Sequence, residues 1–414
     1  MGKRIVILGA GFGGLRAAMI LGREVGQDHE VVLIDKNHYH TFHALLYEAA
    51  TTSQAVANHL DLHNLITYYV DDIIENGHVK FVKADVTNID ISGGDIHFSD
   101  HDPLKYDFLV VALGSENNFF NIPGLKENAL GMKSFVNALE IRDTIAELLD
   151  EKQDIRIAVG GGGSTGVELS AEIQNWFNEI KITRKKFSPV ITLINSGPTV
   201  LDGFHKDVVR LVSRRLAKLG VKTLNNETIT KVSPNLVSLK SGQEVPFDAF
   251  IWTGGVRANS ILQTMKLKLE NKGRSEASNN LICIPEDPSL KIYGRIYGIG
   301  DAVCARDASG NPTPMLVQPA LQQAEVAAKN IILELRGENP GLVFKPFKNY
   351  PYIIPVGGKY AVGQIGPLVV SGWPCWIVKG LVEINYLLSI MPPKKALKIW
   401  LKGLTIFIQN DRLG

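Results

Sequence analysis

Two glycine loops, each set between a short apolar strand and a helix, constrain this chain more than anything else in it. The first, Gly9-x-Gly11-x-x-Gly14, follows "RIVIL" (4–8) and runs into "LRAAMILGREV"; the strand "EVVLID" comes next and ends in Asp35. The second, Gly161-x-Gly163-x-x-Gly166, follows "IRIAV" (155–159) and runs into "VELSAEIQNWFNEI"; "VITLIN" comes next and ends in Asn195. Short β-branched apolar runs read as strands and 3.6-period runs as helices, so each stretch is a βαβ unit. Gly9 and Gly161 are 152 residues apart, and "YDFLVVALGS" (106–115) is echoed by "DAFIWTGGVRA" (248–258). A repeat of that length predicts two similar domains rather than a solenoid.

The spacing has a physical reason. The first glycine allows a tight turn, the second lets backbone approach a pyrophosphate, and the third lets helix and strand pack closely. The helix N-terminus supplies amide donors and a favourable dipole to the anion. Asp35, 26 residues past Gly9, stands where a carboxylate takes ribose hydroxyls. Asn195 holds the matching place in the second unit. Asn can bond a ribose hydroxyl but does not repel a 2′-phosphate as a carboxylate does, so NADH over NADPH is only modestly favoured. Two such folds imply two dinucleotides meeting at their reactive rings, usually a flavin and a nicotinamide. Asp301, after Gly300 at the end of "RIYGIGDAV" (295–303), has two readings: a carboxylate for the ribityl hydroxyls of a flavin, or an ordinary helix cap.

Composition narrows the classes. The chain of 414 residues is 45% hydrophobic and 21% charged with net charge +2, which excludes disorder and a globally basic nucleic-acid binder. Cys283, Cys304 and Cys375 are the three cysteines, none spaced as CxxC, so neither a disulfide framework nor a cysteine metal site is expected. The chain reads as intracellular and reduced, with no secretory signal and no apolar run long enough to span a bilayer. Its tail differs from its body. Residues 373–414 carry Lys379, Lys394, Lys395, Lys398, Lys402 and Arg412 against Glu383 and Asp411, which is +4 and leaves the rest near −2. In "KKALKIWLKGLTIFIQ" (394–409), Lys394, Lys398, Lys402, Thr405 and Gln409 form one polar stripe on a broad apolar helix. In 376–390, Lys379, Glu383, Tyr386 and Ser389 do so more weakly, and Trp373, Trp376 and Trp400 suit a membrane interface. This is the pattern of a helix lying in the interface plane; a helix packed on the core or on a dimer partner is the other reading.

At these residues the chain resembles the type II NADH:quinone oxidoreductases, single-chain flavoproteins of respiratory membranes. The matching stretches include "GAGFGGLRAA", "YHTFHALLYEAAT", "YDFLVVALGS", "GMKSFVNALEIRD", "GGGSTGVELS", "IWTGGVRA", "IGDA" and "VQPALQQ", in order along essentially the whole chain. The resemblance implies an α/β fold with two Rossmann-like dinucleotide-binding domains and a C-terminal amphipathic anchoring region. It implies an FAD domain from 1–115 and 291–345, an NAD(P)H domain at 116–290, and an anchoring module at 346–414. Gly9, Gly11, Gly14, Asp35 and Asp301 would hold FAD, with Phe12, Gly13, Lys36, Val86 and Gly114 beside it. Gly161, Gly163, Thr165, Gly166, Asn195 and Gly255 would face NADH, with NADPH an alternative. Glu168 matches the family's acid near nicotinamide and flavin; on residue grounds alone it reads as a dipole stabiliser in the first helical turn. Gln318 and Gln322, four apart and so on one helical face, match the quinone motif, where surface glutamines would look the same.

The implied partners are a membrane quinone, an anionic lipid surface met by residues 373–410, and a possible homodimer, with no nucleic acid and no metal. The implied place is peripheral, on the cytoplasmic face of the cell membrane or on an inner organellar membrane, with turnover but no proton pumping. Three departures from the family stand out: Asn195 for an acid, Val317 and Pro319 around the first glutamine, and Glu48, read here as a surface carboxylate in preference to a proton relay. Two other readings remain. A sulfide:quinone oxidoreductase would need a cysteine pair beside the flavin, with Cys304 the nearest candidate. A redox-responsive membrane-binding flavoprotein would need little turnover.

Overall fold

The computed structural model describes residues 2–75 and 77–410, so the tail charges Asp411 and Arg412 lie outside the described residues. The chain forms two compact units: Met1–Thr41 with Tyr68–Glu116 and Val256–Lys348, and Phe42–Thr67 with Asn117–Gly255 and Asn349–Gly414. Residues 256–290, read from the sequence with the second glycine loop, lie in the first unit, and residues 42–67 lie in the second.

The first unit is built on a parallel five-stranded sheet ordered Arg295–Gly298, Phe108–Val111, Arg4–Leu8, Glu30–Asp35, Val79–Lys83. Its central strand places Ile5, Val6, Ile7 and Leu8 wholly inside, as a parallel sheet covered on both faces requires. Each such side chain contributes about 1.5–3 kcal/mol of transfer free energy. Helices Phe12–Glu24 and Val317–Leu335 pack together, and Arg16 and Glu325 join them in an ion pair of 2.6 Å.

The stretch 79–86, "VKFVKADV", divides between two strands. Val79–Lys83 is the parallel edge of the main sheet, paired from Val31↔Val79, while Val86–Asp90 pairs antiparallel with Asp95–Phe98. The chain changes sheets at Ala84, whose N–H donates to the Asp35 carbonyl at 3.0 Å. Alternation sets which face a residue takes but not its partner strand.

The second unit repeats the design with the sheet Leu130–Gly131, Ala249–Trp252, Arg156–Gly160, Val190–Ile194, Lys222–Leu224, again parallel. Its C-terminal part is an antiparallel meander, Tyr352–Pro355, Ala361–Ile365 and Leu368–Gly372, followed by helices Trp373–Ile390 and Pro393–Asn410. The meander is pinned by charge. The buried Arg215 guanidinium donates to the Val356 and Gly357 carbonyls at 3.1 and 2.7 Å, and the Gly358 N–H donates to Glu172 at 3.2 Å. Breaking such a buried network costs more than breaking a surface pair, because it strands an unpaired charge.

Candidate active site

The two loops repeat down to individual bonds. Leu8 pairs with Ile34 and Gly160 with Ile194, so Asp35 and Asn195 occupy equivalent places one residue beyond. The Gly9 N–H donates to the Ile34 carbonyl at 2.7 Å, and the Gly161 N–H to that of Ile194 at 2.8 Å. Gly9 and Gly161 have φ of +102° and +117°, conformations that favour glycine. A side chain at Gly14 or Gly166 would run into the carbonyl of Gly9 or Gly161. At Gly11 and Gly163 it would meet nothing within 4 Å. The open space lies above the first helical amides, where a pyrophosphate binds. Thr165 lies in the first turn of the second loop's helix.

In the first unit, Asp35 accepts the Ala10 N–H at 2.7 Å and the Asn37 N–H at 2.8 Å, while burial still pushes its carboxyl above the usual carboxylate range. Its remaining lone pairs can accept ribose hydroxyls. His40 lies fully inside, with Nδ1 2.8 Å from the Ala10 carbonyl and the Phe12 ring edge-on at 5.0 Å. Burial pushes its pKa down to about 4, so the ring is neutral and its Nδ1–H braces the loop. Gly13 packs against the Ile299 side chain and the Ala320 carbonyl, both 3.3 Å from where its Cβ would stand. The first loop, the Gly300–Ala302 turn and the Val317–Leu335 helix therefore meet within this unit.

Asp301 is in that 3-10 turn and accepts the Ser115 hydroxyl at 2.5 Å, and the Gly300 N–H donates to Gln323 at 2.7 Å. No α-helix begins at Asp301, which removes the helix-cap reading. Gly114 has φ +68° and open space where a Cβ would point. Lys36 is exposed, and Val86 packs on the unit's core. Gln318 and Gln322 lie half-buried in the first turns of their helix. The acceptors, the open glycine and the helix terminus fit an FAD.

In the second unit, Asn195 spends its amide on its own loop, donating to the Gly197 and Thr199 carbonyls and to Asn225 Oδ1 at 3.0, 2.8 and 3.1 Å. The Gly255 carbonyl accepts the Asn118 N–H at 3.0 Å.

Glu168 is the fifth residue of the helix Ser164–Thr183, beyond its first turn, so the N-terminal stabiliser reading fails. It is half-buried. Burial, reinforced by Glu48 and opposed by Lys379, pushes its carboxyl up to about 7.

Glu48 is no surface residue: its side chain is 1% exposed on the helix Leu46–Thr51. Glu48 Oε1 accepts the Tyr47 hydroxyl at 2.8 Å and lies 3.4 Å from Lys379 Nζ, while Oε2 has no hydrogen-bond partner among the described residues. Lys379 also pairs with Glu383 at 2.8 Å and sits 5.2 Å from the Tyr47 ring centroid. Burial raises the Glu48 carboxyl as well. In both Glu48 and Glu168 burial favours the protonated carboxyl, and the Lys379 charge opposes it.

The same contacts set the orientation of the Trp373–Ile390 helix. Of its polar stripe, Lys379 (14% exposed), Glu383 and Tyr386 turn inward, Tyr386 buried against Phe42, while Ser389 is exposed. Its apolar face turns outward, with Trp373 65% exposed and Ile377, Leu381, Val382 and Leu388 open beside it. The Trp400 indole N–H is not free at the surface; it donates to the Gly380 carbonyl at 2.8 Å and locks the last two helices together. On the Pro393–Asn410 helix, Leu397 and Leu401 are exposed among Lys394, Lys395, Lys398 and Lys402. Among the described residues no helix is long and apolar enough to cross a membrane.

Residues 3–324 match the model of the pyridine nucleotide-disulphide oxidoreductases. A type II NADH:quinone oxidoreductase of Staphylococcus saprophyticus is 30% identical over 351 residues, 81% of this chain and 83% of that protein. The chain belongs to the pyridine nucleotide-disulphide oxidoreductases and, among them, to the type II NADH:quinone oxidoreductase family. The demethylphylloquinone reductase NdbB of Synechocystis sp. is 29% identical over 347 residues, 81% of this chain and 80% of that protein. The α/β fold is shared with NDH2 from Plasmodium falciparum, solved in complex with NADH, at a TM-score of 0.84 and 18% identity over 100% of this chain and 99% of that one.

The site residues that sequence reasoning missed have a common trait. His40, Ser115 and Gln323 lie inside the stretches that carry the resemblance, but like Lys379 their roles come from partners 23 to 331 residues away, which no local spacing encodes.

Proposed function

We propose that this chain oxidises NADH at the second glycine loop and reduces a quinone, with FAD held by the first loop. The paired loops carry the reading: each leaves open backbone at its second glycine, and only the first has a carboxylate at the strand end. FAD supplies the chemistry that takes two electrons from NADH and releases them to quinone. The chain's own groups do the rest. Loop amides and helix termini hold the pyrophosphates, and Asp35 and Asp301 take hydroxyls. Glu168 holds a proton at its carboxyl, with Lys379 and Glu48 setting how firmly. Gln318 and Gln322 offer amide donors to a quinone carbonyl.

Each parallel sheet with its loop acts as a Rossmann-like half, and residues 346–414 form an anchoring module. The outward apolar face of Trp373–Ile390 and the lysines of Pro393–Asn410 support peripheral docking on anionic lipid, with no vectorial proton transfer. A sulfur-carrying role has no support: Cys283, Cys304 and Cys375 are buried free thiols, and burial raises the pKa of each, the reverse of what an attacking thiolate needs.

Anaerobic NADH should bleach the flavin of the purified chain, and a short-chain quinone should restore it. A flavin that bleaches but is not reoxidised by quinone would reject the quinone step. For the tail, Lys394, Lys395 and Lys398 changed together to Glu should weaken binding to anionic vesicles. At about 1 kcal/mol per lysine the fall is at least roughly 10²-fold. Cosedimentation equal to wild type would show that these lysines do not face lipid.

A further inference from the structure

Asn195 stands where Asp35 stands in the first unit, yet it is neutral. A carboxylate there accepts ribose hydroxyls and repels a 2′-phosphate. Asn195 carries no charge to repel a phosphate, and with its Nδ2 held by Gly197, Thr199 and Asn225 only its Oδ1 is left to accept a single hydroxyl. Those bonds curl residues 195–202 back onto the glycine loop. The Leu201 N–H closes the curl by donating to the Gly162 carbonyl at 2.8 Å.

The next residue is Asp202. Its Cβ and Oδ2 lie 3.4 and 3.5 Å from the point where a side chain would begin on Gly197, and Asn195 Nδ2 lies 3.6 Å from the same point. The curl therefore delivers an exposed carboxylate beside the neutral side chain, at the strand end where a ribose is read. The backbone fixes it there: Leu201 and Gly203, on either side, have φ of +54° and +85°. A leucine in that region is a strained outlier that persists only when its surroundings impose it.

The local charges favour one nucleotide. No lysine or arginine occurs between residues 196 and 205, so nothing in the curl would attract a phosphate. Glu227, a second acid nearby, has its carboxylate bonded by the Ser241 hydroxyl at 2.9 Å. Lys206, the first residue of the following helix, is exposed and is the nearest cation along the chain.

We propose that Asp202, in place of Asn195, is the carboxylate that selects NADH against NADPH. This rests on the second loop being the nicotinamide-nucleotide site. Asp202 acts by like-charge repulsion of the 2′-phosphate and by accepting a hydrogen bond from a free 2′-hydroxyl, which NADPH lacks. Repulsion across solvent is screened by salt, so the discrimination narrows as ionic strength rises.

The test is anaerobic equilibrium titration of the flavin-loaded chain, its flavin already chemically reduced, with NADH and with NADPH, read as two dissociation constants. Wild type should bind NADPH at least about tenfold more weakly than NADH at low salt. Asp202→Asn should reduce the NADPH-to-NADH ratio of dissociation constants by about tenfold, and Asp202→Arg should push it below one. Asp202 is exposed, so both variants should fold, and Asp202→Ser provides a smaller neutral replacement. A ratio unchanged in Asp202→Asn and Asp202→Ser, or both nucleotides weakened equally, overturns the assignment. A wild-type chain that binds neither nucleotide overturns the reading of the second loop itself, a failure distinct from the first.

Discussion

Gly11→Val should yield a folded, colourless chain. A Cβ at Gly11 would meet no protein atom within 4 Å, so a side chain there starts into open space. The same side chain fills the space through which a pyrophosphate reaches the helix amides, so flavin should be lost and NADH:quinone turnover should fall by roughly 10³-fold or more, as expected when the cofactor carries the chemistry. The contrast is Gly14→Ala. There the new methyl runs into the Gly9 carbonyl, and such overpacking costs about 1–3 kcal/mol or more of stability. Gly163→Val completes the set: flavin stays and NADH no longer reduces it. The measurements are flavin absorbance per chain, far-ultraviolet circular dichroism and thermal melting. A Gly11→Val chain that purifies yellow with normal turnover would remove the first loop from the mechanism.

Glu168→Gln should lower the quinone-dependent kcat by about 10²-fold, the usual loss when a positioned proton-transfer group is removed. Its carboxyl, pushed up to about 7 by burial, is protonated below that pH and ionised above it. Wild-type quinone reduction should therefore be fastest below about pH 7 and fall through it, and the variant's profile should be flat there. Stability carries the same signature with a definite sign. The folded-state pKa lies above the unfolded value of 4.5, so the contribution of Glu168 is full below the unfolded pKa and is lost as pH rises through about 7. Melting temperatures across this range should fall less in Glu168→Gln than in wild type. Parallel pH profiles for the two proteins, in rate and in melting, would show that Glu168 holds no functional proton.

The nucleotide loops were readable from residues alone because their constraints are local. A tight turn, a close backbone approach and a helix start are all settled within six residues of chain, and the strand that ends in Asp35 follows almost at once. The tail's amphipathic character was equally local. Its orientation was not. Which way the Trp373–Ile390 helix faces depends on Lys379 finding Glu48, 331 residues earlier in the chain, and no periodicity encodes that partner. The same contact turned Glu48 from an expected surface carboxylate into a buried one with a raised pKa.

Sequence by itself determined the two βαβ units, their glycine geometry and the family, because each is a pattern of neighbours under short-range steric and hydrogen-bonding rules. Tertiary structure alone decided which carboxylates lose their water, that His40 is neutral, and where the curl after Asn195 sets Asp202. Desolvation and charge pairing depend on what the rest of the chain brings within a few ångströms, and folding, not spacing along the chain, makes that choice.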